Sequence, residues 1–341
     1  YEIANAEHLA MSDSVGMINL SHFPIMDIEG KDAERMLEYL SLAKVGGDTP
    51  EGRMIYTNFL DEDGGVHADL TISRLGKDRY RVVTGGADGN RDWLTLRNYR
   101  DDKGLDADIK IRTHDIATLG LWGPQAKNAL GHFIDPNEIT IENFPFVAAK
   151  NLSLNLSGGK KIDVWASRIS YVGESGWEIY LNNDSEEGLA LYDSLLEVGV
   201  VPVGIETYAN SRRLEKSFRL QGADRETEYN ACESAIERRL VKEADFHGKA
   251  AHLSHRKEDP SAILCTMTID DLSVSGGLRY PVGTSPIIDP LTGEVPVDSK
   301  GRRSYATGMS YCPSIKQFVV MGYLPKNIAM PGKSLSLEYF N

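Results

Sequence analysis

Residues 54–72 read MIYTNFLDEDGGVHADLTI. Two runs rich in β-branched and aromatic residues, 54–60 and 66–72, stand on either side of an acidic turn that contains two glycines. That pattern predicts a β-hairpin. Because side chains alternate between the two faces of a strand, Asp69 and Thr71 are expected to share one face of the second strand. The apolar residues between them share the other face.

The remainder of the chain alternates similar strands with amphipathic helices. Residues 33–40 place apolar side chains at i, i+3, i+4 and i+7, which is the helical spacing. A further strand at 80–84 precedes a second round of hairpin, strand and helix at 152–169, 176–181 and 186–198. Helices that alternate with antiparallel strands indicate an α+β fold rather than a doubly wound parallel sheet.

The pattern changes after Pro260. Short β segments with many Gly and Pro residues continue to a last predicted strand at 334–340, and no helical pattern recurs. We therefore predict two domains: an α+β domain over residues 1–255, and a small all-β domain over residues 256–341.

The composition limits the classes of function. The chain has 341 residues and a formal net charge of −13, which works against binding a nucleic-acid backbone. No apolar run approaches the roughly 20 residues of a membrane helix, so we expect neither nucleic acid nor membrane as a partner. Three widely spaced cysteines suit buried free thiols in a reducing compartment. The sequence begins at Tyr1 without a methionine, which is compatible with a portion of a longer polypeptide.

Several common sites are missing from the sequence. No glycine-rich dinucleotide fingerprint follows a strand and no phosphate-binding loop is present, so the chain has no recognisable flavin or nicotinamide fold. His252 and His255 are spaced like two metal ligands on one helix face. Because no third ligand follows at a suitable spacing, we predict no metal site.

Asp69 is the first candidate for chemistry. Tyr56 lies on the other strand of the same hairpin, so a carboxylate, a tyrosine and Thr71 are expected to share one sheet face. Such a carboxylate can stabilise a cation or accept a proton. The same pattern is also typical of the polar face of an edge strand, and the residues alone leave both interpretations open.

The second candidate lies in the stretch YVGESGWEIY at 171–180. Glu178 and Tyr180 share one face of a predicted strand, and burial of a glutamate in an apolar strand is costly unless a partner hydrogen-bonds it. A ligand that presents an N–H and an amino group, as a pterin does, would satisfy both carboxylate oxygens. The alternative is an internal ion pair of Glu178 with an arginine such as Arg168.

The third candidate is the basic run SRRLEKSFR at 211–219. The i,i+4 spacing of opposite charges at Glu215 and Arg219 predicts a helix. A basic helix in an acidic protein could hold the anionic tail of a ligand. A solvated helix face is the alternative interpretation of the same run.

These three stretches and several others occur in the order in which the aminomethyltransferase family has them. The sequence therefore resembles this family, which comprises the glycine-cleavage T-proteins and their relatives, over nearly its whole length. Within the family it is most similar to the folate-binding C-terminal part of dimethylglycine and sarcosine dehydrogenases and oxidases. The stretches that carry the resemblance are VGMINLSHF at 15–23, GKDA at 30–33, the segment around Asp69, GLWGPQA at 120–126, YVGESGWEIY at 171–180, RLEK at 213–216, ATGMSYCPS at 306–314 and MGYLP at 321–325.

The resemblance implies an α+β fold of antiparallel sheets with packed helices in ferredoxin-like subdomains, followed by a small C-terminal β-barrel. It also implies tetrahydrofolate as the cofactor and Asp69 as the catalytic carboxylate. The positions that match the family's folate pocket are Tyr56, Thr71, Tyr171, Glu178, Ile179, Tyr180 and Arg213.

The reaction implied by the resemblance is formation of 5,10-methylenetetrahydrofolate from an N-methylated amine such as dimethylglycine or sarcosine. FAD would be needed only in an upstream domain or partner subunit that oxidises the amine. The expected location is the cytoplasm, or the mitochondrial matrix in a eukaryote. One alternative is a self-sufficient tetrahydrofolate-dependent N-, O- or S-demethylase. Another is a non-enzymatic folate-binding protein of iron–sulfur assembly, although the sequence DFHGKA at 245–250 resembles that of the transferases.

Three departures from the family's pattern bear on function. T-proteins carry A-R-D-x-L-R-L-E where this chain has YANSRRLE at 208–215, so the first arginine is absent, which weakens glycine cleavage as the role. The related N-P-x-E-A-G run is NACESA at 230–235, which leaves the substrate open. Ala68 replaces the first of two adjacent aspartates that the family often has. If the replaced aspartate is the catalytic one, plain methyl transfer is favoured.

Overall fold

The computed structural model describes residues 2–183, 185–236, 240–270 and 283–338. Within these ranges, no helix is long and apolar enough to cross a membrane. A π-helical turn, Glu206–Arg212, lies directly before the sixth α-helix. The α-helices are α1 (Glu2–Asp13), α2 (Ala33–Leu40), α3 (Gly89–Lys103), α4 (Ala126–Leu130), α5 (Ser185–Glu197), α6 (Arg213–Glu215) and α7 (Lys249–His255).

The predicted hairpin lies in a five-stranded sheet, which we call the first sheet. Its strands in spatial order are β3 (Met54–Leu60), β4 (Val66–Gly76), β5 (Arg79–Thr84), β2 (Ile25–Glu29) and β6 (Asp108–Ile111). Apolar side chains of one face, including Leu70, pack against α2 and α3. Across the hairpin, Tyr56 pairs with Thr71 and Asn58 pairs with Asp69. The predicted hairpin is therefore confirmed.

The strand of Glu178 lies in a six-stranded second sheet. Its strands in spatial order are β11 (Val201–Pro202), β1 (Gly16–Asn19), β7 (Ile116–Trp122), β10 (Gly176–Asn182), β9 (Lys161–Ser167) and β8 (Ala149–Asn155). The predicted hairpin at 152–169 is the β8–β9 pair. Helices α4 and α5 pack on the apolar face of this sheet, in a core that includes Trp177 of β10.

The C-terminal part is all-β within the described residues, as predicted. Its strands are β12 (Ala262–Ile269), β15 (Gln317–Pro325) and β14 (Ala306–Cys312) in one antiparallel sheet, and β13 (Ile287–Ile288) with β16 (Ser336–Leu337) in another. Strand pairs among the described residues do not join these two sheets, so barrel closure stays a prediction, as does the domain boundary at residue 255. Residues 339–340 of the last predicted strand lie outside the described residues.

The basic run at 211–219 is helical only in its first half. The π-helical turn ends at Arg212, helix α6 ends at Glu215, and Ser217 has a φ of 58°, a left-handed conformation that an α-helix excludes. Glu215 pairs with Arg212 and His8 rather than with Arg219. The predicted i,i+4 pair of Glu215 and Arg219 is therefore wrong, because the chain leaves the helix between these two residues.

Candidate functional site

The Asp69 carboxylate lies on the polar face of β4, which it shares with Thr71 and, across the strand pair, with Tyr56. Because β4 lies between β3 and β5, the alternative interpretation as an edge strand is wrong. Nδ2 of Asn58 donates a hydrogen bond to Oδ1 of Asp69 at 3.2 Å. Ala68 faces the opposite way and is fully buried in the core. The aspartate that the family often has at this position would therefore not lie on the face of Asp69.

Arg225, which no local sequence pattern indicates, contacts two of these groups. Its guanidinium is fully buried and donates through Nη2 to Oδ2 of Asp69 at 2.5 Å and through Nη1 to the Tyr56 hydroxyl at 2.8 Å. Nη2 also donates to the Arg219 carbonyl at 3.2 Å. Burial acts to lower the pKa of Arg225, but Asp69 and Tyr56 outweigh burial and raise that pKa. The guanidinium therefore stays charged.

Glu178 lies on β10 of the second sheet and shares a face with Tyr180, whose hydroxyl donates to Oε2 of Glu178. Burial raises the pKa of Glu178 to about 7, although the Tyr180 hydrogen bond acts to lower it. Arg168 instead donates through Nη1 to the Phe144 carbonyl at 2.7 Å. The alternative of an internal ion pair between Glu178 and Arg168 is therefore wrong.

Two tyrosines connect the two candidates. The Tyr171 hydroxyl donates to the Arg219 carbonyl at 2.9 Å, and its ring centroid lies 5.3 Å from that of Tyr208. The pKa of Tyr208 is raised well above its ordinary value, first by burial and then by the nearby Glu178, Tyr171 and Asp69. Since both carboxylates act on one buried ring, the polar faces of the two sheets meet at a common site.

Three groups at this site keep solvent-accessible surface although they lie deep in the molecule. The exposed fraction is 43% for Tyr56 and 19% for the Asp69 side chain, and Glu178 is half-buried. Protein nevertheless surrounds Tyr56 and Glu178 so closely that burial is the main cause raising the pKa of each. From this combination of depth and open surface we infer that the three groups line a cleft. A ligand in this cleft could place a polar edge at Glu178 and a reactive end near Asp69.

Two of the predicted pocket residues do not face the cleft. Ile179 is 1% exposed in the core of the second sheet, because strand alternation turns its side chain away from that of Glu178. Arg213 is also 1% exposed, and its guanidinium pairs with Asp224 and donates to the Phe218 carbonyl at 3.1 Å. Ligand binding by these two residues stays a prediction.

No cluster of three or more metal-ligating side chains occurs in the part of the chain that the structure describes. His252, one of the two histidines with metal-ligand spacing, is fully buried near Phe246. Burial lowers the pKa of His252 to about 4. These are the surroundings of a neutral core histidine.

The sequence is similar to known proteins over its whole length. The family described as the GCVT N-terminal domain matches residues 1–243. The mitochondrial dimethylglycine dehydrogenase of Homo sapiens is 29% identical over 352 residues, which cover 99% of this chain and 37% of that protein. The corresponding enzyme of Mus musculus is 30% identical over 356 residues, with the same two coverages of 99% and 37%. The chain thus spans little more than a third of the length of these relatives.

Among solved structures, the glycine cleavage system aminomethyltransferase T from Bartonella henselae has a similar fold. The TM-score is 0.79 at 23% identity, and the match covers 98% of this chain and 85% of that one. This likeness confirms the predicted α+β architecture. Together with the family match over residues 1–243, which is well over half of the chain, it identifies the chain as a member of the aminomethyltransferase (glycine-cleavage T-protein) family.

Proposed function

We propose that this chain binds tetrahydrofolate in the cleft between Asp69 and Glu178 and loads onto it a one-carbon unit, forming 5,10-methylenetetrahydrofolate. Membership of the aminomethyltransferase family supports folate-dependent one-carbon transfer as the class of chemistry. The donor we propose is an N-methylated amine of the dimethylglycine or sarcosine type. The similarity to dimethylglycine dehydrogenases supports this choice.

A flavin, if the reaction needs one, would belong to another part of a longer polypeptide or to a partner subunit. The chain corresponds to only 37% of the length of the human dehydrogenase. We therefore propose no role for its residues in the oxidation of the amine. The role proposed for the chain is capture of the oxidised one-carbon fragment. We propose the cytoplasm as its location, or the mitochondrial matrix in a eukaryote.

One observation carries the proposal: among the described residues, the half-buried carboxyl group of Glu178 has no cationic partner. Among the described residues, Glu178 hydrogen-bonds with the Tyr180 hydroxyl alone, and burial raises its pKa to about 7. A buried carboxylate needs hydrogen-bond donors, and the N–H and amino group on the edge of a pterin supply two. A strongly perturbed carboxyl group in a cleft is typical of a binding or catalytic site.

The Asp69 carboxylate is suited to the transfer step. The iminium or aminomethyl carbon of the amine is electrophilic, and N5 of tetrahydrofolate attacks it. A carboxylate beside that carbon stabilises its positive charge and can accept the proton that N5 loses. Glu178 contributes by orienting the pterin, because reaction is fast only when the attacking atom is held in line with the carbon.

We expect the chain to bind tetrahydrofolate without any other subunit. Anaerobic calorimetric titration gives the dissociation constant, and a thermal shift gives an independent measure. Absence of both signals at millimolar ligand would disprove the proposal. The visible spectrum of the intact native protein separates an associated flavin domain from a self-sufficient demethylase, since a bound flavin is yellow and folate is not.

We expect Glu178→Gln to weaken folate binding by about 1.5–3 kcal/mol, because a charge-assisted hydrogen bond to the pterin is lost. The nearby Glu174 is unsuitable as a control because it pairs with the buried Arg212. Asp163→Asn is the matched control, since Asp163 is an exposed carboxylate on the neighbouring strand β9. Calorimetry at mildly alkaline pH is the measurement. Equal losses in the two variants would show that the pocket lies elsewhere.

A further inference from the structure

Arg225 lies behind the cleft rather than in it. Its side chain has no solvent-accessible surface, whereas the two groups that it contacts, Asp69 and Tyr56, are 19% and 43% exposed. A ligand in the cleft therefore meets the carboxylate and the phenol and not the guanidinium. This placement argues against Arg225 as the binding site for a substrate carboxylate or for the glutamate tail of folate.

Asp69, Arg225 and Tyr56 form a closed set of hydrogen bonds. Arg225 donates to both of the other residues at 2.5 and 2.8 Å, and Tyr56 and Asp69 are hydrogen-bonded to each other. Because Tyr56 accepts from Arg225, its own proton is available for the carboxylate. Asn58 donates to the second carboxylate oxygen. Both oxygens of Asp69 are thus fixed in direction by the protein.

The charges in this set favour one of the two roles that a carboxylate can have in the transfer step. Arginine keeps its charge at any working pH, and its two-armed contact with Asp69 and Tyr56 fixes the direction of the carboxylate. A carboxylate held in this way presents its negative charge at a fixed distance from whatever occupies the cleft.

We propose that Arg225 is a positioning residue that holds the Asp69 carboxylate aimed into the cleft, so that Asp69 serves as a fixed negative charge beside the cationic carbon. This inference rests on the proposed function and specifies the role of Asp69 within it. In the transfer step N5 bonds to the carbon while the iminium π electrons pass to the amine nitrogen, and N5 loses its proton. The amine then leaves with one proton, and N10 bonds to the same carbon and loses its own proton. The surplus proton passes to water at the open side of the cleft, where Tyr56 is exposed.

The test compares Arg225→Met with the parent chain at saturating tetrahydrofolate. The donor is the iminium that sarcosine and formaldehyde form in water, and the uncatalysed rate is subtracted. We expect kcat at neutral pH to fall by about 10- to 100-fold, and the folate Kd to change by less than about threefold, since Arg225 does not touch the ligand. The loss should fall on kcat and not on binding, because the Asp69 carboxylate loses the contact that fixes its direction.

Arg302→Met is the matched control, because Arg302 has a nearly buried guanidinium that pairs with carboxylates outside the cleft, Glu233 and Asp298. It should lose stability without a loss of kcat. A parental kcat in Arg225→Met, or an equal loss of kcat in Arg302→Met, would overturn the inference and leave the proposed function intact. A parent chain that binds no tetrahydrofolate would overturn both.

Arg225→Lys tests the same inference if the methionine variant does not fold. Lysine keeps the charge but cannot make the two-armed contact to Asp69 and Tyr56. We expect its kcat to be about fivefold lower than the parent's with the folate Kd unchanged, because the cation is retained and the two-armed orientation is lost. A lysine variant with the parental kcat would show that the contact geometry has no role in positioning.

Discussion

Asp69→Asn should lower the rate of methylenetetrahydrofolate formation by about 10²-fold or more at saturating folate, with a far smaller change in the folate Kd. The amide has nearly the shape of the carboxylate, and its one oxygen can still accept the hydrogen bond from Arg225, so the folate pocket is retained. The variant lacks the negative charge beside the electrophilic carbon. The measurement is the rate with the sarcosine–formaldehyde iminium as donor, after subtraction of the uncatalysed reaction.

The same substitution should destabilise the fold, and a second variant separates this effect from the loss of rate. Without the charge of Asp69, the buried Arg225 guanidinium is uncompensated, and removal of one partner of a buried ion pair costs about 3–5 kcal/mol. The double variant Asp69→Asn/Arg225→Met removes the isolated charge and should recover stability towards urea but not the rate. Asp63→Asn, exposed in the hairpin turn, should match the parent in both. A parental rate in Asp69→Asn would show that the hairpin carboxylate is only structural.

The polar faces of the two site strands could be predicted from the sequence because strand alternation is a local property. Period two separates Asp69 from Leu70 and Glu178 from Ile179, and the structure places these side chains on opposite faces. For Ile179, this pattern places the side chain in the core of the second sheet, away from the face of Glu178. That β4 is an interior strand could not be predicted from the hairpin alone, since it depends on the pairing of β4 with β5.

The roles of the charged residues could not be predicted in the same way, because their partners are distant in sequence. Arg225 reaches Asp69 and Tyr56 across 156 and 169 positions of the chain. Arg213, one of the predicted folate-pocket residues, lies in a buried pair with Asp224. A run of charges has the same local pattern whether it faces solvent or pairs in the interior. Burial therefore decides its role, and burial is set by the rest of the fold.

The stability of the ligand-free protein should respond to pH through Glu178. Burial raises the pKa of Glu178 to about 7 from an ordinary value of 4.5, so the folded state holds this proton more tightly than the unfolded chain does. The resulting stability is fully present below the unfolded pKa and is lost as the pH rises through 7, at a cost of up to about 3 kcal/mol. Glu178→Gln should therefore raise the unfolding temperature at pH 8 and have little effect at pH 4.5.

Folate binding should depend on pH in the opposite sense, because a pterin edge that donates two hydrogen bonds favours the ionised carboxylate. Below pH 7 the ligand must displace the proton of Glu178, so Kd should rise about tenfold for each pH unit, or about 10²-fold between pH 7 and 5. Calorimetric titrations test this: Glu178→Gln should bind weakly at every pH, and Asp163→Asn should follow the parent. Tyr180→Phe should move the inflection to higher pH, because the Tyr180 hydrogen bond acts to lower the pKa of Glu178. A parental Kd that stays constant over this range would show that the Glu178 carboxylate does not hold the pterin.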